Sequence, residues 1–250
     1  MIKRNFSRCA HLYDKYANIQ RLVASELVKE LPNNGIANIL EIGCGTGNYT
    51  SLLKERFKSS RIKALDIAKG MIGVARQKLK DRQIEFLVTD AENIDINNEF
   101  GLITSNAAFQ WFERIERTIE KFKKALKKEG IIAFSIFGPL TFWELNQSLK
   151  EVLHKDVSIG SHIFLEKEKL EIILSKYFHK IYARELIVKE RYVSLMELLR
   201  KIKYTGIRGA GLNSSFAWTQ KLLKRTEETY KCKFGQIEAT YQIFFCRAIK

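Results

Sequence analysis

Asn38-Ile39-Leu40-Glu41-Ile42-Gly43-Cys44-Gly45-Thr46-Gly47-Asn48 is the stretch whose reading decides the fold of this 250-residue chain. An apolar run over residues 36–42 breaks into alternating glycines and is followed by an amphipathic segment from Tyr49 to Phe57. That order predicts a buried strand, a tight turn and a helix. Gly43, Gly45 and Gly47 let the backbone come close to a ligand and present amide hydrogens beside a helix N-terminus. The spacing is Gly-x-Gly-x-Gly, whereas a dinucleotide fingerprint is Gly-x-Gly-x-x-Gly, and position 48 is Asn. Glu41, two residues ahead of the loop, would repel a pyrophosphate and welcome a cation.

S-adenosylmethionine carries a sulfonium and an ammonium and no phosphate. Glu41-x-Gly43-x-Gly45-x-Gly47 therefore resembles the first motif of class I methyltransferases; the bland alternative is a glycine-rich turn with no ligand. Downstream, Arg61 to Asp66 predicts a second strand ending in an acid, placed by a βαβ unit at the carboxyl edge of the sheet, where a carboxylate can accept both ribose hydroxyls. Ile67 and Met71 are placed to flank an adenine ring, although a core role suits Met71 equally. Ile84 to Val88 predicts a third strand, putting Asp90 and Ala91 at the same edge; Asp90 can accept from an adenine amino group, and taken alone it is a turn or helix cap.

A fourth strand over residues 100–105 leads into Asn106-Ala107-Ala108-Phe109-Gln110-Trp111, a helix is expected from Arg114 to Lys127, and Ile131 to Phe137 reads as a fifth strand. Strands alternating with helices at this spacing predict a doubly wound, mostly parallel sheet. Residues 138–176 have a helical pattern interrupted near Ser158-Ile159-Gly160. Ile181 to Val188 reads as a sixth strand, residues 194–233 as helical, and Ala239 to Cys246 as the last strand. The expected organisation is one Rossmann-like α/β domain over residues 1–250, with a helical lid (1–35), a cofactor-binding core (36–137) and a cap of helices with the last strands (138–250). In the lid, Tyr13, Tyr16 and Gln20 are spaced to share one helical face, either over the ligand or packed on the sheet. Thr205 to Gly211 reads as a flexible turn within the cap.

Composition bounds the rest. A hydrophobic content of 46% is enough for a full core. No stretch is both long and uncharged enough to span a membrane, and residues 1–8 lack an apolar signal core, so a cytosolic protein is expected. Cys9, Cys44, Cys232 and Cys246 are scattered, the histidines lack ligand spacing, and no metal site is expected. The net charge of +15 implies an acidic partner, or else the solvated faces of a lysine-rich proteome.

Further motifs narrow the family. Phe6-x-Arg8-x-Ala10, Tyr13-Asp14-x-x-Ala17-x-x-Gln20, Ser105-Asn106-x-Ala108-x-Gln110-Trp111, Gly138-Pro139-x-Thr141 with Glu144-Leu145, and Thr240-Tyr241-Gln242-x-Phe244 follow in one order over nearly the whole chain. Together they resemble the malonyl-acyl-carrier protein O-methyltransferases of biotin synthesis. The resemblance implies a seven-stranded class I methyltransferase fold and methyl transfer from S-adenosylmethionine to the free carboxylate of a malonyl thioester. It also implies a malonyl-loaded acyl-carrier protein as partner, met through the basic surface; a small acid, a quinone or RNA are the competing substrates. No RNA-binding module or cluster of arginines and aromatics supports RNA. The roles implied are Glu41, Gly43, Gly45, Gly47, Asp66, Ile67, Met71, Asp90, Ala91 and Asn106 around the cofactor, with Tyr13 and Gln20 closing the lid. Tyr13, Gln110 and Trp111 would position the reacting groups. Tyr16, Trp111 and Arg208, or another cap cation, would meet the substrate. No catalytic base is expected, because a malonyl carboxylate is ionised at pH 7.

Overall fold

The computed structural model describes residues 2–33, 35–81, 83–97, 99–154, 161, 164–205 and 218–250. Seven strands form one sheet: β1 (Asn38–Ile42), β2 (Arg61–Asp66), β3 (Ile84–Val88), β4 (Phe100–Asn106), β5 (Leu126–Phe137), β6 (Lys180–Tyr192) and β7 (Ile237–Ile249). Their order is β3-β2-β1-β4-β5-β7-β6, parallel except for β7, which runs antiparallel to both neighbours. The order reverses between β1 and β4, and open α/β sheets bind ligands outside the carboxyl ends of the strands at such a reversal.

The helices are α1 (Ile2–Tyr16), α2 (Asn18–Lys29), α3 (Asn48–Arg56), α4 (Lys69–Lys78), α5 (Ile115–Ala125), α6 (Trp143–Leu153), α7 (Lys167–Ser175), α8 (Leu195–Tyr204) and α9 (Gln220–Phe234). One apolar layer joins Val23 and Leu27 of α2, Leu53 of α3, Leu145 of α6, Leu198 of α8 and Tyr230 of α9 to one face of the sheet. On the other face Ile119 and Phe122 of α5 and Leu170 and Leu174 of α7 cover Leu40, Ile103 and Phe134. Strands buried on both faces need the nearly continuous apolar runs that mark β1, β4 and β5 in the sequence.

The structure corrects several expected boundaries. α5 stops at Ala125 rather than at Lys127, because Leu126 already pairs with Phe100 in the sheet. The register then shifts between Phe100 and Leu102, and Glu129 adopts a left-handed φ of 59°. Local helix propensity in this lysine-rich stretch yields to strand pairing. β6 and β7 are also longer than expected, pairing from Lys180 with Ile249 to Tyr192 with Ile237. β6 is an edge strand whose alternating, half-exposed residues give only a faint sequence signal. The interruption expected at residues 158–160 and most of the turn at 205–211, including Arg208, lie outside the described residues. No helix among the described residues is long and apolar enough to cross a membrane.

Candidate active site

A cavity of about 450 Å³ opens at the carboxyl ends of β1, β2 and β4, within the size range of small-molecule sites. Gly43 and Gly45 line its floor. Both have left-handed backbones, with φ of 69° and 55°. A Cβ on Gly43 would lie 2.4 Å from the Ala108 Cβ, so the loop after β4 can close on the glycine turn only if position 43 has no side chain. A Cβ on Gly45 would meet nothing within 4 Å. The space beside that residue is open to a ligand.

Asp66 ends β2 and is the hub of this turn. Its Oδ1 accepts from the Ala68 amide at 2.7 Å and its Oδ2 from the Gly45 amide at 2.9 Å. Burial pushes its carboxyl up to about 6, while the Ala68 and Gly45 amides pull against that shift. Glu41 lies under the loop, 1% exposed, and neither carboxylate oxygen has a hydrogen-bond partner among the described residues. Burial lifts its carboxyl to about 8; the nearby Thr50 hydroxyl pulls against that shift and Asp66 adds repulsion. A buried carboxylate without a donor is a costly arrangement unless a ligand brings positive charge to it.

Ile67, Met71, Asp90, Ala91 and Asn106, the residues read from the sequence as a cofactor's surroundings, also line the cavity. Asn106 is fixed at both ends of its amide: Nδ2 donates to the Gln20 carbonyl at 3.0 Å, and Oδ1 accepts from the Ser135 hydroxyl at 2.8 Å. Gln20 and Tyr13 reach the same cavity from α2 and α1. Gln110 and Trp111, in a single helical turn after β4, complete the wall with Phe137 and Thr205. Gln110 donates to the Ala107 carbonyl at 2.6 Å, and the Trp111 ring meets Phe6 and Phe164 edge to face.

Three expected residues sit elsewhere. Tyr16 does not line the cavity; α1 ends at it and Ala17 breaks the helix, so its ring stacks on Tyr204 with centroids 4.8 Å apart. Gly47 caps α3 with φ of 84°, and a Cβ there would sit 3.0 Å from Leu79, so its constraint is packing rather than ligand contact. Glu41 is not part of the lining: it lies buried beneath the glycine turn, where it can act on a ligand only through its charge.

The sequence reading assigned no role to Asp14. Its carboxylate accepts from Thr46 Oγ1 at 2.5 Å, Asn48 Nδ2 at 2.8 Å and Lys78 Nζ at 2.9 Å. Burial would raise it, but the donors Thr46, Lys78 and Asn48 outweigh burial and hold it below its ordinary range. Asp14 thus fastens α1, and with it Tyr13, to the glycine turn. Its place beside Tyr13 in the Tyr-Asp pair was the available signal. Glu92 was missed as well: it accepts from the Glu113 and Arg114 amides at 3.1 and 2.8 Å, holding the chain just ahead of α5, while its own amide donates to Asp90 Oδ1 at 2.9 Å beside it in the cavity lining.

Comparison with known proteins gives the family. Residues 40–134 match the methyltransferase domain family. A malonyl-acyl-carrier protein O-methyltransferase of Acetivibrio thermocellus is 32% identical, covering 100% of this chain and 93% of the relative. One from a Paenibacillus species is 36% identical over 96% of this chain and 95% of its own length. Among solved structures, the phosphoethanolamine N-methyltransferase 2 of Haemonchus contortus, held with phosphomonomethylethanolamine and S-adenosylhomocysteine, superposes with a TM-score of 0.62 at 17% identity. That match spans 99% of this chain and 60% of the neighbour and bears on the fold alone. The full-length relatives decide the assignment: this chain belongs to the malonyl-acyl-carrier protein O-methyltransferase family.

Proposed function

We propose that this protein transfers a methyl group from S-adenosylmethionine to the free carboxylate of a malonyl thioester on acyl-carrier protein, the ester that primes pimeloyl synthesis for biotin. The observation that carries the cofactor half is Glu41, a buried, unpartnered carboxylate beneath a glycine turn that borders open space. A cationic ligand without phosphate suits that floor. Asp66 and Asp90 would accept from the ribose and adenine ends, Ile67 and Met71 would border the ring, and Asn106 with Gln20 would line the amino-acid end. S-adenosylmethionine, when bound, supplies a methyl carbon made electrophilic by its sulfonium.

The remaining work falls to this chain's own residues. A malonyl carboxylate is already ionised near neutral pH, so no side chain has to take a proton from it. Alignment and water exclusion are what the wall must provide. Tyr13, Gln110 and Trp111 border the transfer end, and the Phe6–Trp111–Phe164 ring contacts hold the indole in place. Asp14 keeps α1 seated on the turn while this happens. Arg208 or another cap cation would pair with the malonyl carboxylate, and the basic surface would meet the carrier. This reading places the enzyme in the cytosol, the compartment that supplies S-adenosylmethionine.

The test is methyl transfer from labelled S-adenosylmethionine to malonyl-acyl-carrier protein, with malonyl-coenzyme A, acetyl-acyl-carrier protein and bulk RNA alongside. A base-labile label on the malonyl species alone is expected. Measurable cofactor binding with no transfer to any malonyl thioester would overturn the substrate assignment and leave the fold untouched.

A further inference from the structure

The outer face of α1 carries charge that the cavity does not use. Arg4, Arg8, His11 and Lys15 recur at three- and four-residue intervals, so on a helix they form one stripe roughly 16 Å long. All four are exposed. Phe6, Ala10 and Tyr13 occupy the opposite side of the helix, packed toward Ala68 and Met71. Asp14, the only acid of α1, is turned into its bonds with Thr46, Asn48 and Lys78. Arg4, Arg8 and Lys15 have no acidic partner among the described residues.

α8 extends this face. It lies against α1 through the Tyr16–Tyr204 stack and through Cys9, whose thiol points at the Lys203 carbonyl at 3.6 Å. Its exposed residues Met196, Arg200 and Lys203 are again one helical row, and Val193 just before the helix is 88% exposed. The two helices therefore join into a basic face with apolar residues set into it. The same helices frame the cavity: Phe6 and Tyr13 of α1 line it, as does Thr205 at the end of α8.

We infer that the α1–α8 face is the docking surface for the acidic carrier protein that presents the malonyl thioester, an inference that rests on the carboxyl-methylation reading above. A carrier seated there rests on the two helices whose other sides wall the cavity, and it meets cations without acidic partners with apolar residues among them. RNA fits this face less well, since single strands are gripped by aromatic platforms between cations, and here Tyr16 and Tyr204 cover each other.

The experiment compares two double variants of equal charge change. Arg4→Glu with Arg8→Glu alters the face; Lys127→Glu with Lys128→Glu alters exposed lysines at the opposite, amino edge of β5. Each is assayed with malonyl-acyl-carrier protein and with malonyl-pantetheine, which has neither protein nor phosphate, and for cofactor binding by calorimetry. The face variant should lose about tenfold or more in kcat/KM for the carrier substrate at low salt, mostly through KM, because rim charges act on encounter. Turnover of malonyl-pantetheine and cofactor affinity should stay at wild-type values, and the control should lose little with either substrate. Equal losses in both variants, or a matching loss with malonyl-pantetheine, would overturn the surface assignment. So would unchanged carrier turnover alongside a loss of RNA binding. Wild-type protein that methylates malonyl-pantetheine but ignores the carrier would refute the surface alone, whereas failure on both malonyl substrates would refute the reaction as well.

Discussion

Replacing Glu41 with Gln separates stability from function. The native carboxyl is lifted from 4.5 to about 8, so between those values the folded protein holds a proton that the unfolded chain has released. A state that holds more protons loses ground as pH rises. The wild type without cofactor should therefore be least penalised below about pH 4.5, lose stability progressively up to about pH 8, and level off beyond. At ~1.4 kcal/mol per pKa unit the loss amounts to about 5 kcal/mol. The Glu41→Gln side chain is of equal size and does not titrate. Its amide leaves buried donors unpaired at a cost of roughly 1–3 kcal/mol, but that cost is the same at every pH.

The observable is thus a difference of differences: Tm of the two proteins by calorimetry from pH 5 to pH 8.5, without cofactor. The wild-type curve should fall relative to the variant by about 10 °C over that range, from 2–4 °C per kcal/mol in a domain of this size. Added S-adenosylmethionine should then raise the wild-type Tm at pH 8, by ~2.7 kcal/mol of stabilisation at one hundred times Kd. The variant should gain little. Wild-type affinity should also tighten with pH up to about 8, because binding a cation beside Glu41 favours its ionised form. Parallel Tm curves would refute the claim that Glu41 is buried without a partner. A variant that binds cofactor as tightly as the wild type would remove Glu41 from the cofactor site.

Asp66→Ala removes the acceptor of two amide bonds and of the expected ribose contact, so cofactor affinity should fall by roughly 30-fold or more, read by calorimetry. Asp14→Ala should loosen α1 from the glycine turn, raising KM for S-adenosylmethionine about tenfold and exposing α1 to limited proteolysis; an unchanged digestion pattern would count against the fastening role. Gly43→Ala combines a left-handed φ with a 2.4 Å approach to Ala108, and it should cost more than about 2 kcal/mol in denaturant unfolding.

What the sequence revealed follows from how far each signal travels along the chain. The glycine turn, Asp66 and Asp90 were legible because a strand that ends in a turn fixes its own edge within a few residues. Asp14 was not, since its donors lie 32, 34 and 64 residues away and nothing local marks an aspartate as their common acceptor. Tyr16 was misplaced for the same reason: its periodicity matches Tyr13 and Gln20, but the break at Ala17 and the ring of Tyr204, far along the chain, decide where it points. The start of β5 was hidden because Lys127, Lys128 and Glu129 read as the end of a helix until Phe100 supplies the pairing partner.

The two late motifs show how a specific pattern can be legible while its purpose is not. Gly138 to Glu144 and Thr240 to Phe244 stand about a hundred residues apart, yet they are one object. The Gly138 amide donates to the Gln242 carbonyl at 2.9 Å, the Leu140 amide to Gln242 Oε1 at 2.9 Å, and the Thr240 amide to Glu144 Oε2 at 3.0 Å. A Cβ at position 138 would lie 2.5 Å from Gln242 Oε1 and 2.6 Å from the Phe244 ring, so glycine there lets both side chains keep their places. This interlock clamps the end of β5 to β7, and the last residue of β5 is Phe137, a wall of the cavity whose ring lies 6.2 Å from that of Tyr241. None of Thr240, Tyr241 and Gln242 lines the cavity. Placing Phe137 is the role these contacts would serve, so conservative changes there should raise KM for the malonyl substrate and lower Tm together while leaving cofactor affinity at the glycine-turn end unchanged.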